Sequence, residues 1–149
     1  MKEQKIPAIK NGTVIDHIPS SKTPKVLQIL DLGKAKDIVS IGMNLTSSKM
    51  VSKGIIKIAS HELTKEQIDK IAVLAPGVTV NVIRDYHVKE KKKAEIGEHI
   101  EKIMKCPNPR CITNVEKVNT CFLVLQKEPL SVRCRFCERS FGSKEIILL

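Results

Sequence analysis

The stretch GTVIDHIP, residues Gly12 to Pro19, predicts a β-strand that ends at a proline, yet it contains an acid and an imidazole. Asp16 and His17 stand among valine and isoleucine residues, which are typical of a half-buried strand. Because successive side chains of a strand point to opposite faces, one ligand can meet both residues only at a strand end or an irregularity. The pattern leaves two interpretations open: a structural polar pair, or a ligand contact.

The sequence around this strand predicts an alternation of strands and helices. The stretches SSKTPKVLQILDLG and ELTKEQIDKIAVLAPG have the apolar spacing of helices. Strands are predicted at Lys10–Ile18, Asp37–Leu45, Gly54–Ser60 and Val78–Ile83. The order β-α-β-β-α-β is that of the ferredoxin-like motif, an α+β fold whose usual sheet order makes strands four, one and three neighbours.

Both predicted helices carry signals for their ends. In the first, Thr23 is a candidate N-cap and Gly33 a candidate end. In the second, Thr64 and Gln67 have the spacing of a capping box.

Single polar residues interrupt three of the apolar strands. Asp16 lies in strand one, Lys57 in strand three and Asn81 in strand four, and the predicted topology makes these strands adjacent. An acid, a cation and an amide on one sheet could hydrogen-bond a ribose or a base edge. The alternative is a polar network in which Asp16 and Lys57 satisfy only each other.

Composition limits the class of protein and its partners. The chain has 149 residues and a net charge of +10, which attracts phosphate in nucleic acid, nucleotides or anionic lipid. Aromatic residues make up only 3%, so a stacking platform for single-stranded nucleic acid is not expected. No apolar run reaches the ~18 residues of a membrane span, and the N-terminus lacks the apolar region of a signal peptide. We therefore expect a cytoplasmic protein without a membrane partner.

A charged run divides the chain into two parts of different composition. The run Lys89–Lys102 predicts a hinge or an exposed helix, on which Ile96, Ile100 and Ile103 have helical spacing. All five cysteines follow it. We place the domains at residues 1–97 and 98–149.

The second part contains a metal-binding pattern of cysteines. Its four paired cysteines have the spacings C-x4-C and C-x2-C: Cys106, Cys111, Cys134 and Cys137. Four thiolates at short spacings suit tetrahedral zinc, with iron as the main alternative. Four Cys ligands close the coordination sphere, so the site is expected to be structural and to stabilise a small antiparallel β domain. Cys121 lies outside the pattern and is interpreted as a core residue.

With both parts considered, the sequence closely resembles the family of aspartate carbamoyltransferase regulatory chains. The resemblance rests on AIKNGTVIDHIP, IGMNL, IIKI, APGVTVNVI, CPNPRC and CRFCE, in that order over nearly the whole chain. It implies a non-catalytic regulatory subunit in the control of pyrimidine biosynthesis. Its first domain would bind the effectors ATP and CTP, and its zinc domain would dock on the catalytic chain. Regulatory chains of this family pair as homodimers.

The resemblance also implies a set of nucleotide contacts. Asp16 would lie near the ribose hydroxyls, Lys57 near ribose and base, and His17 and Lys91 near the phosphates. Backbone groups around Ile9 and Tyr86 would read the base. The full set is Ala8, Ile9, Val14, Asp16, His17, Lys57, Asn81, Ile83, Tyr86, Val88 and Lys91. Lys89, Lys92 and Lys93 stay open as alternatives to Lys91.

Two other functions compete with an allosteric relay from nucleotide to catalytic chain. A zinc-ribbon nucleic-acid binder fits the charge, but the knuckle PNPR carries one basic residue and no aromatic one. A stand-alone enzyme is disfavoured because no nucleophile–base constellation or open metal site is visible in the sequence.

Overall fold

The computed structural model describes residues 6–149, apart from the side chain of Lys34. The chain divides into two compact units; the first ends at Glu95 and the second is Ile96–Leu149. Both are built mainly from antiparallel strands, and the longer helices lie in the first. Among the described residues, no helix is long and apolar enough to cross a membrane.

The first unit contains one five-stranded sheet and two helices. Its elements are β1 Gly12–Pro19, α1 Thr23–Leu30, β2 Val39–Leu45, β3 Lys53–Ala59, α2 Lys65–Leu74, β4 Thr79–Arg84 and β5 His87–Lys93. The sheet has the order β2-β3-β1-β4-β5, so β1 lies at its centre between β3 and β4. The two helices pack against each other.

Isoleucine and valine fill the core of this unit. Ile15, Ile56 and Ile58 are at most 1% exposed on one side of the sheet, and Val26 of α1 and Ile71 of α2 are fully buried. The buried side of the sheet thus carries the odd-numbered residues of β1 up to Ile15, which leaves Val14 and Asp16 on the opposite side.

The helix ends agree only partly with the sequence signals. Thr64 and Gln67 form the predicted capping box, in which each side chain accepts from the other residue's backbone N–H. The N-cap prediction for Thr23 is wrong, because its hydroxyl donates back to Pro19 O and Lys22 holds the cap position. Helix α1 ends at Leu30 and is capped by Asp31 in the left-handed conformation, and it does not extend to Gly33.

The charged run was predicted to be a hinge or an exposed helix, and the helix is wrong. Residues His87–Lys93 form β5, an exposed edge strand paired with β4. Ile96, Ile100 and Ile103 are buried, as a packed face requires, but Ile100 lies in a strand and the other two lie outside helices. A sequence that is polar on both faces carries no period-2 signal, and pairing with β4 decides the conformation.

The second unit contains a four-stranded and a two-stranded sheet. Its elements are β6 His99–Glu101, β7 Met104–Lys105, α3 Ile112–Val115, β8 Cys121–Gln126, β9 Ser131–Cys134, β10 Ser140–Gly142 and β11 Ile147–Leu148. The sheets have the orders β10-β9-β8-β6 and β11-β7. Phe122 and Val132 are fully buried at the centre, and Cys121 is 9% exposed, as expected of a core residue.

Candidate functional site

Four of the predicted nucleotide contacts lie in one row across the sheet of the first unit. Val14 pairs with Lys57 of β3 and with Asn81 of β4, and Asn81 pairs with Lys91 of β5. Directly paired residues of antiparallel strands have Cβ atoms ~4.5–5.5 Å apart on the same face. We call Lys57, Val14, Asn81 and Lys91 the cross-strand row. It lies on the side of the sheet opposite the core.

A second row follows two residues along the strands. Asp16 of β1 pairs with Thr79 of β4, which pairs with Lys93 of β5. Because Asp16 and Val14 are separated by one residue, their side chains share a face. An acid, an amide and several lysines therefore face the same surface.

An irregularity in β5 determines which lysines join this surface. The register shifts between Val82, which pairs with Glu90, and Ile83, which pairs with Val88. Lys89 therefore has no paired residue on β4. Lys92 pairs with Val80 on the core-facing register and binds the Glu90 carboxylate at 3.0 Å. The register thus places Lys91 and Lys93, and not Lys92, beside Asn81 and Thr79.

Asp16 is held by two donors. Its Oδ1 accepts from Lys53 Nζ at 2.9 Å and from the backbone N–H of His17 at 2.6 Å. Burial raises the pKa of this carboxyl, but the hydrogen bonds from Lys53 and His17 outweigh it and leave the pKa below its ordinary value. Asp16 is therefore an anion at neutral pH, and its side chain remains 19% exposed.

His17 lies at an irregularity of strand β1. Such an irregularity is needed if one ligand is to contact both Asp16 and His17, because consecutive side chains of a regular strand point to opposite faces. Its φ is +60°, and the β1–β3 register shifts between Ile15 and Ile18. This left-handed residue is a bulge that redirects the side chains around it. The His17 Nδ1 lies 3.2 Å from Thr79 Oγ1, and Thr79 is the residue paired with Asp16. The bulge thus brings the imidazole to a residue directly beside the carboxylate.

Lys57 does not bind Asp16. Its ammonium donates to the backbone oxygens of Ile6 at 3.1 Å and Pro7 at 3.0 Å. The polar network left open as an alternative is therefore formed by Asp16 with Lys53 instead. Burial lowers the pKa of Lys57; the charge of Asp16 opposes this effect, and the charge of Lys53 adds to it.

Asn81 carries the unpartnered acceptor of the site. Among the described residues, its Oδ1 is buried and has no hydrogen-bond partner. Leaving a buried polar atom unpaired costs about 1–3 kcal/mol, so a donor from water or from a ligand would stabilise this atom. It lies in the cross-strand row between Val14 and Lys91.

The remaining predicted contacts surround the N-terminal end of β1. The backbone N–H of Tyr86 donates to Lys10 O at 2.9 Å, which ties the turn before β5 to the segment after Ile9. Ile83 is buried and pairs with Gly12 and Val88. The side chains of Tyr86 and Val88 are 63% and 57% exposed, and Ala8 is also exposed.

Two residues of the site were missed by sequence reasoning. Lys53 lies just before the strand predicted from Gly54, although it opens β3 and binds Asp16. Thr79 has no distinctive local pattern, and only the pairing of β4 with β1 and β5 places it between Asp16 and Lys93. Strand register, which depends on tertiary contacts, would have been needed to find Thr79 and to choose Lys93 among the alternatives to Lys91.

The second unit brings the four paired cysteines together. The Sγ atoms of Cys106, Cys111, Cys134 and Cys137 all lie within 4.8 Å of one another. The Cys106–Cys137 and Cys111–Cys134 sulfur distances are both 3.7 Å. Ligands at the ~2.3 Å Zn–S distance of a tetrahedral ion lie roughly 3.8 Å apart, so the cluster has the dimensions of a zinc site.

Hydrogen bonds fix the first knuckle of this cluster. The Asn114 amide donates to Cys106 O at 2.8 Å and to Asn108 O at 2.7 Å, and Asn108 Oδ1 accepts from the backbone N–H of Arg110. These bonds hold the loop between Cys106 and Cys111 in one conformation. A preorganised loop presents both thiols to one ion.

The pKa values of the thiols differ because burial and hydrogen bonding differ among them. Burial and the neighbouring cysteines raise the pKa of Cys106 and Cys134. Burial also raises the pKa of Cys137, but hydrogen bonds from the Arg139 backbone, Asn108 and the neighbouring thiols lower it to about 7. A metal ion binds thiolates, so its binding displaces the protons that these thiols otherwise retain. Closed four-Cys coordination is structural rather than catalytic.

Two sequence models of known protein families match the chain, one in each unit. Residues 4–95 match the sequence model of the aspartate carbamoyltransferase regulatory chain, allosteric domain. Residues 98–147 match the model of its metal binding domain.

Whole-length relatives carry the same description. The aspartate carbamoyltransferase regulatory chain of Pyrococcus abyssi is 50% identical over 149 residues, which cover 99% of this chain and 98% of the relative. That of Pyrococcus furiosus is 51% identical with the same coverage. The regulatory chain of Bacteroides thetaiotaomicron is 46% identical over 144 residues, 97% of this chain and 94% of the relative.

Proposed function

This chain belongs to the family of aspartate carbamoyltransferase regulatory chains, and from that premise we propose that its first unit binds nucleotide effectors and that its second unit transmits their effect to a catalytic chain. It is a regulatory and not a catalytic subunit. The four cysteines of its metal-binding domain suit one structural zinc ion. The proposed domains are residues 1–97 and 98–149.

The unpartnered Asn81 Oδ1 is the observation that carries the nucleotide proposal. A hydroxyl or amino group of a nucleotide would supply the donor that this buried oxygen lacks. The cross-strand row offers cationic groups on both sides of it, from Lys57 and Lys91. A nucleotide carries donors beside an anionic phosphate chain, which is the chemistry that such a row complements.

The proposed roles follow from position and charge. Asp16 is ionised and partly exposed, so it can accept from ribose hydroxyls while Lys53 balances its charge. Lys91, Lys93 and His17 lie around Asn81 and Thr79, where they can bind the phosphates. Lys57 would contact ribose and base, since its ammonium already lies at the segment before Ala8.

The backbone near Tyr86 bears on the choice of base. The N–H of Tyr86 is already donated to Lys10 O, so a base can be read at Tyr86 through its carbonyl oxygen. That oxygen is an acceptor, and the exocyclic amino groups of adenine and cytosine are donors. This supports ATP and CTP as effectors. Val88 and Ile83 would supply apolar contact.

The arrangement of the first sheet supports two further parts of the proposal. The strand order β4-β1-β3-β2, with α1 packed on α2, supports a ferredoxin-like fold that β5 extends. The edge strand β2 supports a homodimer, because Ile41 and Met43 of β2 and Ile38 beside it are 41–75% exposed. An apolar edge of this kind favours pairing with another chain, whereas the lysines of β5 protect the opposite edge.

The second unit would serve as the contact with the catalytic chain. Its 54-residue span has few buried large side chains, so the metal supplies part of its folding free energy. Cytoplasmic conditions would keep the thiols reduced. A nucleotide can bias the catalytic chain only by its differential affinity for two states of the assembly, and such couplings are typically about 1–3 kcal/mol.

Binding of CTP and ATP to the zinc-loaded chain tests the nucleotide site. Isothermal titration should show that Lys91→Ala weakens binding about 13- to 160-fold, since a charge-assisted hydrogen bond contributes about 1.5–3 kcal/mol. Lys92→Ala is the matched control, because it removes the same charge one residue away on the other face of β5. Equal losses in the two variants, or full affinity in Asp16→Ala and Lys57→Ala, would reject the site.

A nucleic-acid binder remains the second candidate because of the +10 charge. Its test is the salt dependence of DNA or RNA binding, which would be steep if several lysines contacted phosphates. The family match favours the regulatory function.

A further inference from the structure

Two bulges flank the same end of β3. On one side, the β1–β3 register shifts between Ile15 and Ile18, at His17. On the other side, the β2–β3 register shifts between Gly42 and Leu45, and Asn44 has a φ of +59°. Both shifts end at the start of β3, where Lys53 pairs with Pro19 on one side and with Leu45 on the other.

A side-chain hydrogen bond joins the two bulged strands directly. Ser20, the residue after β1, is 9% exposed, and its Oγ accepts from the backbone N–H of Asn44 at 2.9 Å. Ser20 follows His17 by three residues, and Asn44 lies in the edge strand β2. Because β3 separates β1 from β2, this bond spans β3 near Lys53 and Gly54 and ties one bulge to the other.

We propose that the Ser20–Asn44 hydrogen bond couples nucleotide binding at Asp16 and His17 to pairing of the chain with a second copy through β2. The inference rests on the proposed nucleotide site and homodimer and adds the connection between them. A ligand that shifts the His17 bulge displaces Pro19 and Ser20, and Ser20 carries Asn44 with it. Asn44 lies next to Met43, which is 41% exposed on the edge strand.

A bulge suits this role because its extra residue is left unpaired and the ladder is locally disrupted there. Under the proposal, the two arrangements are a ladder with this register shift and one without it. Coupling between sites requires an element with two arrangements whose equilibrium both ligands bias. Linkage then requires that nucleotide change the dimer affinity by the same factor as dimerisation changes the nucleotide affinity.

The dimer dissociation constant of the full zinc-loaded chain, measured by dilution with and without saturating CTP, tests the coupling. In the unmodified chain CTP should change this constant at least about 5-fold, the lower end of typical couplings. In Ser20→Ala, CTP should change the dimer dissociation constant by less than about 2-fold. CTP should still bind to this variant, and the variant should still dimerise. Ser20→Thr keeps the acceptor and should retain the coupling.

Ser47→Ala is the matched control, because Ser47 Oγ also accepts a backbone N–H, that of Lys49, in the turn after β2. It should leave the coupling unchanged. A full CTP effect in Ser20→Ala, or no CTP effect on the dimer of the unmodified chain, would overturn the inference. Failure of CTP to bind at all would instead reject the proposed function, and the titration itself reports this.

Discussion

The substitution Asn81→Leu should stabilise the first unit and weaken nucleotide binding at once. Leucine has the branched shape of asparagine but no polar atom, so it removes the buried Oδ1 that lacks a partner within the described residues. Relief of an unsatisfied buried polar atom is worth about 1–3 kcal/mol in the free protein. In a domain of 60–100 residues, each kcal/mol raises the melting temperature by about 4–8 °C.

The effect on binding has the opposite sign. A neutral hydrogen bond contributes about 0.5–1.5 kcal/mol, so its loss should weaken CTP binding about 2- to 13-fold. Thermal unfolding of the zinc-loaded chain without nucleotide, followed by isothermal titration with CTP, measures both quantities. A residue that served only the fold would not show stability and affinity moving in opposite directions.

Asn11→Leu is the matched control for this experiment. The Oδ1 of Asn11 is satisfied, because it accepts from the backbone N–H of Asp85 at 3.2 Å. The same chemical change should therefore lower the melting temperature there. If Asn81→Leu also lowers the melting temperature and leaves CTP affinity unchanged, Asn81 is not an acceptor held ready for a ligand.

Three further predictions concern charge, metal and assembly. CTP affinity should fall as pH rises through the pKa of Lys57, and because burial lowers that pKa, the fall should begin below pH 10.5. The fall should be smaller in Lys57→Arg, because arginine keeps its charge at this pH. If titrations across alkaline pH give the same profile for the unmodified chain and for Lys57→Arg, Lys57 is not a contact. Cys111→Ser should lower the zinc content, unfold residues 96–149 and prevent binding to the catalytic chain. Elemental analysis, circular dichroism and gel filtration measure these three effects in turn. Retained assembly without metal would contradict the structural role. Ile41→Lys, at a residue 47% exposed on β2, should shift sedimentation toward the monomer, whereas an unchanged dimer would place the interface elsewhere.

Local patterns in the sequence predicted the parts of the fold that local interactions determine. The capping box of Thr64 and Gln67 forms as expected, because both of its bonds lie within four consecutive residues. The two cysteine pairs identified the metal cluster although 22 residues separate them, because the short spacing within each pair is itself typical of a zinc knuckle. Thr23 was misjudged because its hydroxyl has a competing partner, the carbonyl of Pro19, which the N-cap pattern does not reveal.

Features that depend on pairing between strands were predicted less well. The lysine run of β5 has no apolar period, and it becomes a strand because β4 offers it a ladder. An ion pair of Asp16 with Lys57 was one of two open interpretations, but the bulge at His17 and the register of β3 bring Lys53 to the carboxylate as its ion-pair partner. A shift of one residue reverses the face of every side chain, so finding Thr79, and choosing among the lysines of β5, required the register itself.

We propose that nucleotide bound to the first unit changes the behaviour of a catalytic chain held by the second. Aspartate saturation of the complex reconstituted from this chain and its catalytic partner tests it most directly, with and without CTP and ATP. We predict a change in half-saturation or cooperativity that Lys91→Ala abolishes and Lys92→Ala retains. Saturation curves that do not respond to either nucleotide, in a complex shown to be assembled and to bind them, would contradict the claim.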